Sequence, residues 1–383
     1  MNDLINGTED FTSQSAFNEN RPNNTGFTYS TTDTYNFEKW GTAFERSQPP
    51  IPHKKVGLLM FLSQVIPIGV FLLISFYIVI YGFLSMGNVS AYTDSPYFLL
   101  IANAIATTTC GILIPSAIHV FHKRLPNETY NIRKLSANQI LPCILIGIGL
   151  VFLATPLNSM LMSTYEHLGA DFSQEVSLID DASLTDPIYF LTCVVCICVL
   201  PAISEELLCR SAVLYSFRSY GMIKATLISG MFFALMHGSF ASLPVYALLG
   251  ILFSIIAYKT RSVWSSVIVH FVYNFTIILM CMLPGVGAAD EATLALTSPE
   301  LWISAVSMLF TGAVFLIPGL LLFFKFCKKN DDREAERAGL TTNAYVDEYN
   351  GIFKMRPKND KGFVIATFAL LAIITIADLF SIF

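Results

Sequence analysis

The chain of 383 residues is 54% hydrophobic and 13% charged, with 31 phenylalanines and a net charge of −5. That balance lies far from a soluble globular protein, and without a basic patch nucleic acid is excluded as a partner. Several apolar runs exceed the ~18 residues that read as a membrane span, so the expected fold class is all-α, a polytopic transmembrane helix bundle.

Residues 1 to 55 are mostly polar and rich in Asn, Thr and Ser. They are expected to form a cytoplasmic, largely disordered tail, which argues against a cleavable signal peptide. Apolar stretches follow at 56 to 84, 97 to 121, 139 to 161, 187 to 217, 222 to 237, 244 to 258, 262 to 283, 301 to 324 and 363 to 383, some eight or nine spans. They divide the chain into N-terminal spans 1 to 3 at 56–186, a central segment at 187–283, and C-terminal spans at 284–383 with a cytoplasmic linker at 325–362.

Basic residues set the orientation, because positively charged loops stay on the cytoplasmic side. Lys54 and Lys55 precede span 1, Lys123, Arg124, Arg133 and Lys134 follow span 2, and Arg218 and Lys224 follow span 4. Lys259 and Arg261 follow span 6, and KFCKKNDDREAER follows span 8. The alternate loops hold acids, among them Asp94, Glu166, Asp171 and Glu300. The protein is therefore expected to be multi-pass, in the cell membrane if bacterial, with a cytoplasmic N-terminus. The eight cysteines lie almost entirely in apolar runs and read as small hydrophobes. Cys193, Cys196 and Cys198 do not gather on one helical face, so packing is expected there rather than a metal.

The stretch SEELLCR, residues 204 to 210, places charges at the end of the fourth apolar run. Such charges are costly at membrane depth. In one reading the span stops near Leu200 and Pro201, and Ser204 caps a solvated helix. In the other the helix continues and the carboxylates lie inside the membrane. At 1.5 Å per residue, Glu205 lies about 18 Å from Phe217, His237 about 20 Å beyond Lys224, and His270 and Asn274 about 14 and 20 Å beyond Arg261. Polar groups from three helices thus converge on one depth, which favours the second reading. Each has an ordinary role when taken singly: an intramembrane His or Asn commonly bonds a neighbouring helix. Glu206 and Arg210, four residues apart, are expected to form a supporting ion pair, leaving Glu205 off that pair. Together the residues supply a general base, an imidazole to orient water, and donors for an oxyanion.

EELLCR at 205–210, FALMH at 233–237 and HFVYN at 270–274 stand in order on successive helices. At these residues the chain resembles the CAAX protease and bacteriocin-processing (CPBP, or Abi) family of glutamic intramembrane endopeptidases, over roughly residues 187–283. The resemblance implies a four-helix catalytic core in which Glu205 activates water with His237. It further implies that His270 and Asn274 stabilise the oxyanion, and that Glu206 and Arg210 support the site. It implies no cofactor, with zinc the less favoured alternative because a His-Glu-x-x-His helix is absent. The implied partners are membrane lipids and a peptide or protein substrate, lipidated in some members. Oligomeric state is not legible. A transporter, or an immunity or scaffold protein retaining the fold, are the rival classes. A rhomboid-type serine site is discounted because LISG at 227–230 lacks the first glycine of Gly-x-Ser-Gly.

Overall fold

The computed structural model describes residues 53–85, 95–113, 116, 134–172, 178–283, 298–351 and 362–382. Most of the expected tail, and Lys123, Arg124 and Arg133, lie outside the described residues. Among the described residues every regular element is helical. In chain order these are α1 His53–Ser85, α2 Pro96–Leu113, α3 Ile140–His167, α4 Pro187–Phe217 and α5 Met222–Met236. They continue as α6 Leu243–Thr260, α7 Val263–Cys281, α8 Pro299–Ala338, α9 Thr342–Gly351 and α10 Gly362–Ile382. Every predicted apolar stretch carries one of these helices. Seven are long and apolar enough to cross a membrane, while Lys55–Gly69 within α1 and the 15-residue α5 are shorter apolar pieces.

The outer surface is itself apolar. Leu72, Leu73 and Phe76 of α1, Phe310 and Leu321 of α8, and Ile373 and Phe380 of α10 are exposed, as expected of a bundle solvated by lipid. Helices cannot associate there by hiding oil from water, so close backbone approach has to hold them. On α3, a Cβ added at Gly147 would lie 2.8 Å from Val272 of α7, and one at Gly149 would lie 2.7 Å from the backbone nitrogen of Leu316 of α8. Phe232, Phe233, Phe253, Leu208 and Phe217 form the main buried cluster. Cys193, Cys196 and Cys198 are buried in a second cluster with Leu100, Tyr189 and Ile278, which accounts for them as packing residues.

The continuous-helix reading of SEELLCR is the one the fold adopts. α4 runs through Leu200 and Pro201 without a break, with π-turns at Val194–Val199 and Leu207–Leu214. Pro201 has no N–H to give the carbonyl of Ile197 four residues back, and the wider turn just before it is one way a helix absorbs an internal proline.

The expected linker at 325–362 is largely helical where described, with a break at 339–341. α8 continues to Ala338 and stops at Gly339, whose φ of 71° is the left-handed stop that glycine favours. α9 folds back on it, with Thr342 Oγ1 donating to Asp332 at 2.6 Å. Arg261, in the turn between α6 and α7, reaches Asp331 at 2.9 Å and ties this extension to the bundle.

Candidate active site

The adjacent carboxylates of α4 face different partners because successive residues on a helix are rotated by about 100°. Glu206 is fully buried. Its Oε1 accepts from Arg210 Nη1 at 2.7 Å and from His270 Nδ1 of α7 at 3.1 Å. Arg210 also donates through Nη2 to the carbonyl of Gly250 at 2.9 Å, and its guanidinium lies 4.5 Å above the Phe233 ring and 5.4 Å from that of Phe253. The predicted i,i+4 pair is thus present and carries α6 and α7 with it. That carbonyl is reachable because α5 and α6 touch at glycines: a Cβ on Gly250 would lie 2.6 Å from the carbonyl oxygen of Gly230.

Glu205 lies off that network. It is 9% exposed, and its Oε2 is buried with no hydrogen-bond partner among the described residues. His237 Nε2 stands 4.0 Å from it, too far for a direct hydrogen bond. His237 is the C-cap of α5, where the final carbonyls lack their usual partners. Its own N–H turns to Ala234 at 3.2 Å, and its ring Nδ1 takes the Phe233 carbonyl at 2.7 Å. A carbonyl can only accept, so Nδ1 carries the proton; in the neutral ring Nε2 then presents a lone pair towards Glu205. Tyr246 of α6 stacks on the imidazole at 4.1 Å and 20°, and Phe233 tilts against it at 4.7 Å.

Asn274 lies one turn beyond His270 on α7, and its Nδ2 donates to the carbonyl of Ile197 at 2.8 Å. This is the carbonyl that Pro201 cannot serve. The same device recurs nearby. Pro67 of α1 leaves the carbonyl of Ser63 without its i+4 donor, and Cys110 Sγ of α2 supplies a bond at 2.7 Å. Transmembrane prolines are tolerated where a neighbouring helix meets the freed group in this way. Beside Cys110, Gly111 brings α2 so close to α4 that an added Cβ would fall 2.0 Å from the carbonyl oxygen of Ser204, one residue before Glu205.

The four residues placed at one depth therefore divide. Glu205 and His237 face each other, His270 is drawn to Glu206, and Asn274 is anchored to α4. Sequence reasoning missed Tyr246 and Phe253, the rings that wall the two histidines, and the contacts of Gly111 and Gly250. Pro201, four residues after Ile197, was the readable signal for where Asn274 goes. Among the described residues no group of three or more His, Cys, Asp or Glu side chains is placed to hold a metal, and His270 Nδ1 is bonded to Glu206.

Residues 187–276 match a family model described as type II CAAX prenyl endopeptidase Rce1-like. No curated protein and no solved structure matches the chain. The matched segment covers α4 to most of α7 and contains all three motifs, so motif and family model agree on a CAAX-protease segment within a polytopic helical bundle.

Proposed function

We propose that the chain is an intramembrane endopeptidase in which Glu205 activates water against a peptide bond of a membrane-associated substrate. The observation carrying this reading is the 4.0 Å gap between Glu205 Oε2 and His237 Nε2. Both atoms are acceptors when the carboxylate is ionised and the imidazole neutral. Two hydrogen bonds of about 2.8 Å spanning that gap meet at roughly 90°, close to the angle between the O–H bonds of one water. A water so held donates both hydrogens and keeps a lone pair for attack. Glu205 takes one proton as the oxygen adds to the carbonyl carbon, and the tetrahedral oxyanion forms. Its collapse breaks the C–N bond while Glu205 returns the proton to the departing amine.

As an imidazolium, His270 donates through Nδ1 to Glu206 and through Nε2 to the oxyanion, and the amide N–H of Asn274 not bonded to Ile197 is the second donor proposed. Glu206 and Arg210 hold His270 rather than touch substrate. The route uses no metal. A substrate carrying a prenyl group near its C-terminus is the first to try, by analogy with the family description.

The test is Glu205→Gln, which keeps shape and removes the base. In detergent it should leave a prenylated CAAX-ended reporter peptide uncut, and in cells a precursor should accumulate in the membrane proteome. Turnover by Glu205→Gln at the wild-type rate would sink the mechanism. Solute flux across liposomes, unaffected by this substitution, would favour a transporter instead.

A further inference from the structure

We propose that Asp378 of α10 is a positioning residue for His237, so that a helix outside the family-matched segment completes the site. The proposal rests in part on the reading of His237 given above. His237 ends α5, and the loop 238–242 leads directly into α6, which carries Tyr246. The stacked pair of rings thus hangs on one five-residue connection, and where that loop sits sets the distance from Nε2 to Glu205.

The loop is held from outside. Phe240 N donates to Asp378 Oδ2 at 2.6 Å, Ile374 of the same helix lies 3.6 Å from where a Cβ of Gly238 would be, and Gly238 has a φ of 71°. α3 holds the other side, through Ser242 Oγ to Asn158 at 3.1 Å and the Tyr165 ring 5.8 Å from Phe240. The C-terminal end of α10, one turn beyond Asp378, is itself pinned, with Asp171 N donating to the carbonyl of Ile382 at 2.8 Å. Asp378 is the one charged residue in the sequence of α10, a costly choice on a membrane helix unless the carboxylate has a task. Here it accepts from a loop N–H, and a carboxylate makes such a bond about twice as strong as a neutral acceptor would.

The experiment compares Asp378→Ala, which removes the acceptor, with Asp378→Asn, which keeps an oxygen there, both in the full-length purified protein. Two readouts are taken: kcat and KM on the reporter peptide, and the rate at which diethyl pyrocarbonate modifies His237 and His270, resolved by peptide mass spectrometry. Asp378→Ala should lower kcat about tenfold with KM little changed, since small misplacements of a reacting group are costly. It should also speed modification of His237 severalfold and leave that of His270 unchanged. Asp378→Asn should stay near wild type on both. Unchanged His237 reactivity in Asp378→Ala overturns the proposal. So does an Asp378→Asn as impaired as the alanine variant, or a parallel rise at His270, which would mean general loosening. Because His237 reactivity needs no turnover, the protease reading can fail while this one survives.

Discussion

Substituting Arg210 by methionine tests how the centre of the site is held together. The side chains of Glu206 and Arg210 are both fully buried, and one carboxylate oxygen takes both Arg210 and His270. Methionine fills much of the space but leaves a buried carboxylate without its cation, which typically costs about 3–5 kcal/mol. The carbonyl of Gly250 loses a donor too, but keeps Ser254 Oγ at 2.7 Å, so little is added there. At about 2 °C per kcal/mol for a chain of this size, the melting temperature should fall by about 6–10 °C. A thiol-reactive fluorophore in detergent reads this directly, because seven of the eight cysteines are buried until the bundle opens. Adding Glu206→Gln removes the stranded charge and keeps an oxygen for His270, so the double variant should regain at least half of the loss. If instead the two single losses simply add, Glu206 and Arg210 are not an energetic unit and the account of the site's frame is wrong.

Gly111→Ala drives a methyl to 2.0 Å from the carbonyl oxygen of Ser204, backbone against backbone, and should reduce turnover at least about a hundredfold by displacing Glu205. Gly69→Ala, with nothing within 4 Å, is its control and should be neutral or stabilising by up to ~1 kcal/mol in the same melting assay. Asn274→Ala should cost about 1–2 kcal/mol through the orphaned carbonyl of Ile197. In a Pro201→Ala background the backbone N–H returns and that cost should shrink to about 0.5 kcal/mol or less. An unchanged cost there would show that Asn274 does not serve the proline's carbonyl. A kcat loss at Asn274 that persists in this background would support the oxyanion role.

Much of the candidate site was readable because helix geometry is regular. A rise per residue turned sequence distance into depth, and a turn of 3.6 residues paired Glu206 with Arg210 and set Glu205 apart. Pro201 was the weak point, since in isolation it argues equally for a helix end and for a tolerated kink. The outcome depended on Asn274, 77 residues from Ile197, being in place to satisfy the freed carbonyl. The segment 325–362 was legible only in part, for a similar reason. Most of its described charges are exposed, but Asp331 answers Arg261 from another part of the chain, which no local pattern announces.

By itself the sequence determined the all-helical membrane class, the order of the helices and the three motifs, because hydropathy and helical period are local properties of the chain. Tertiary structure decided which carboxylate each histidine meets, where Asn274 spends its amide, and that Asp378 grips the loop behind His237. Those choices turn on how helices cross and how closely glycines let them approach. A rise of 1.5 Å per residue gives a side chain's height along its own axis, but not the direction of its neighbour.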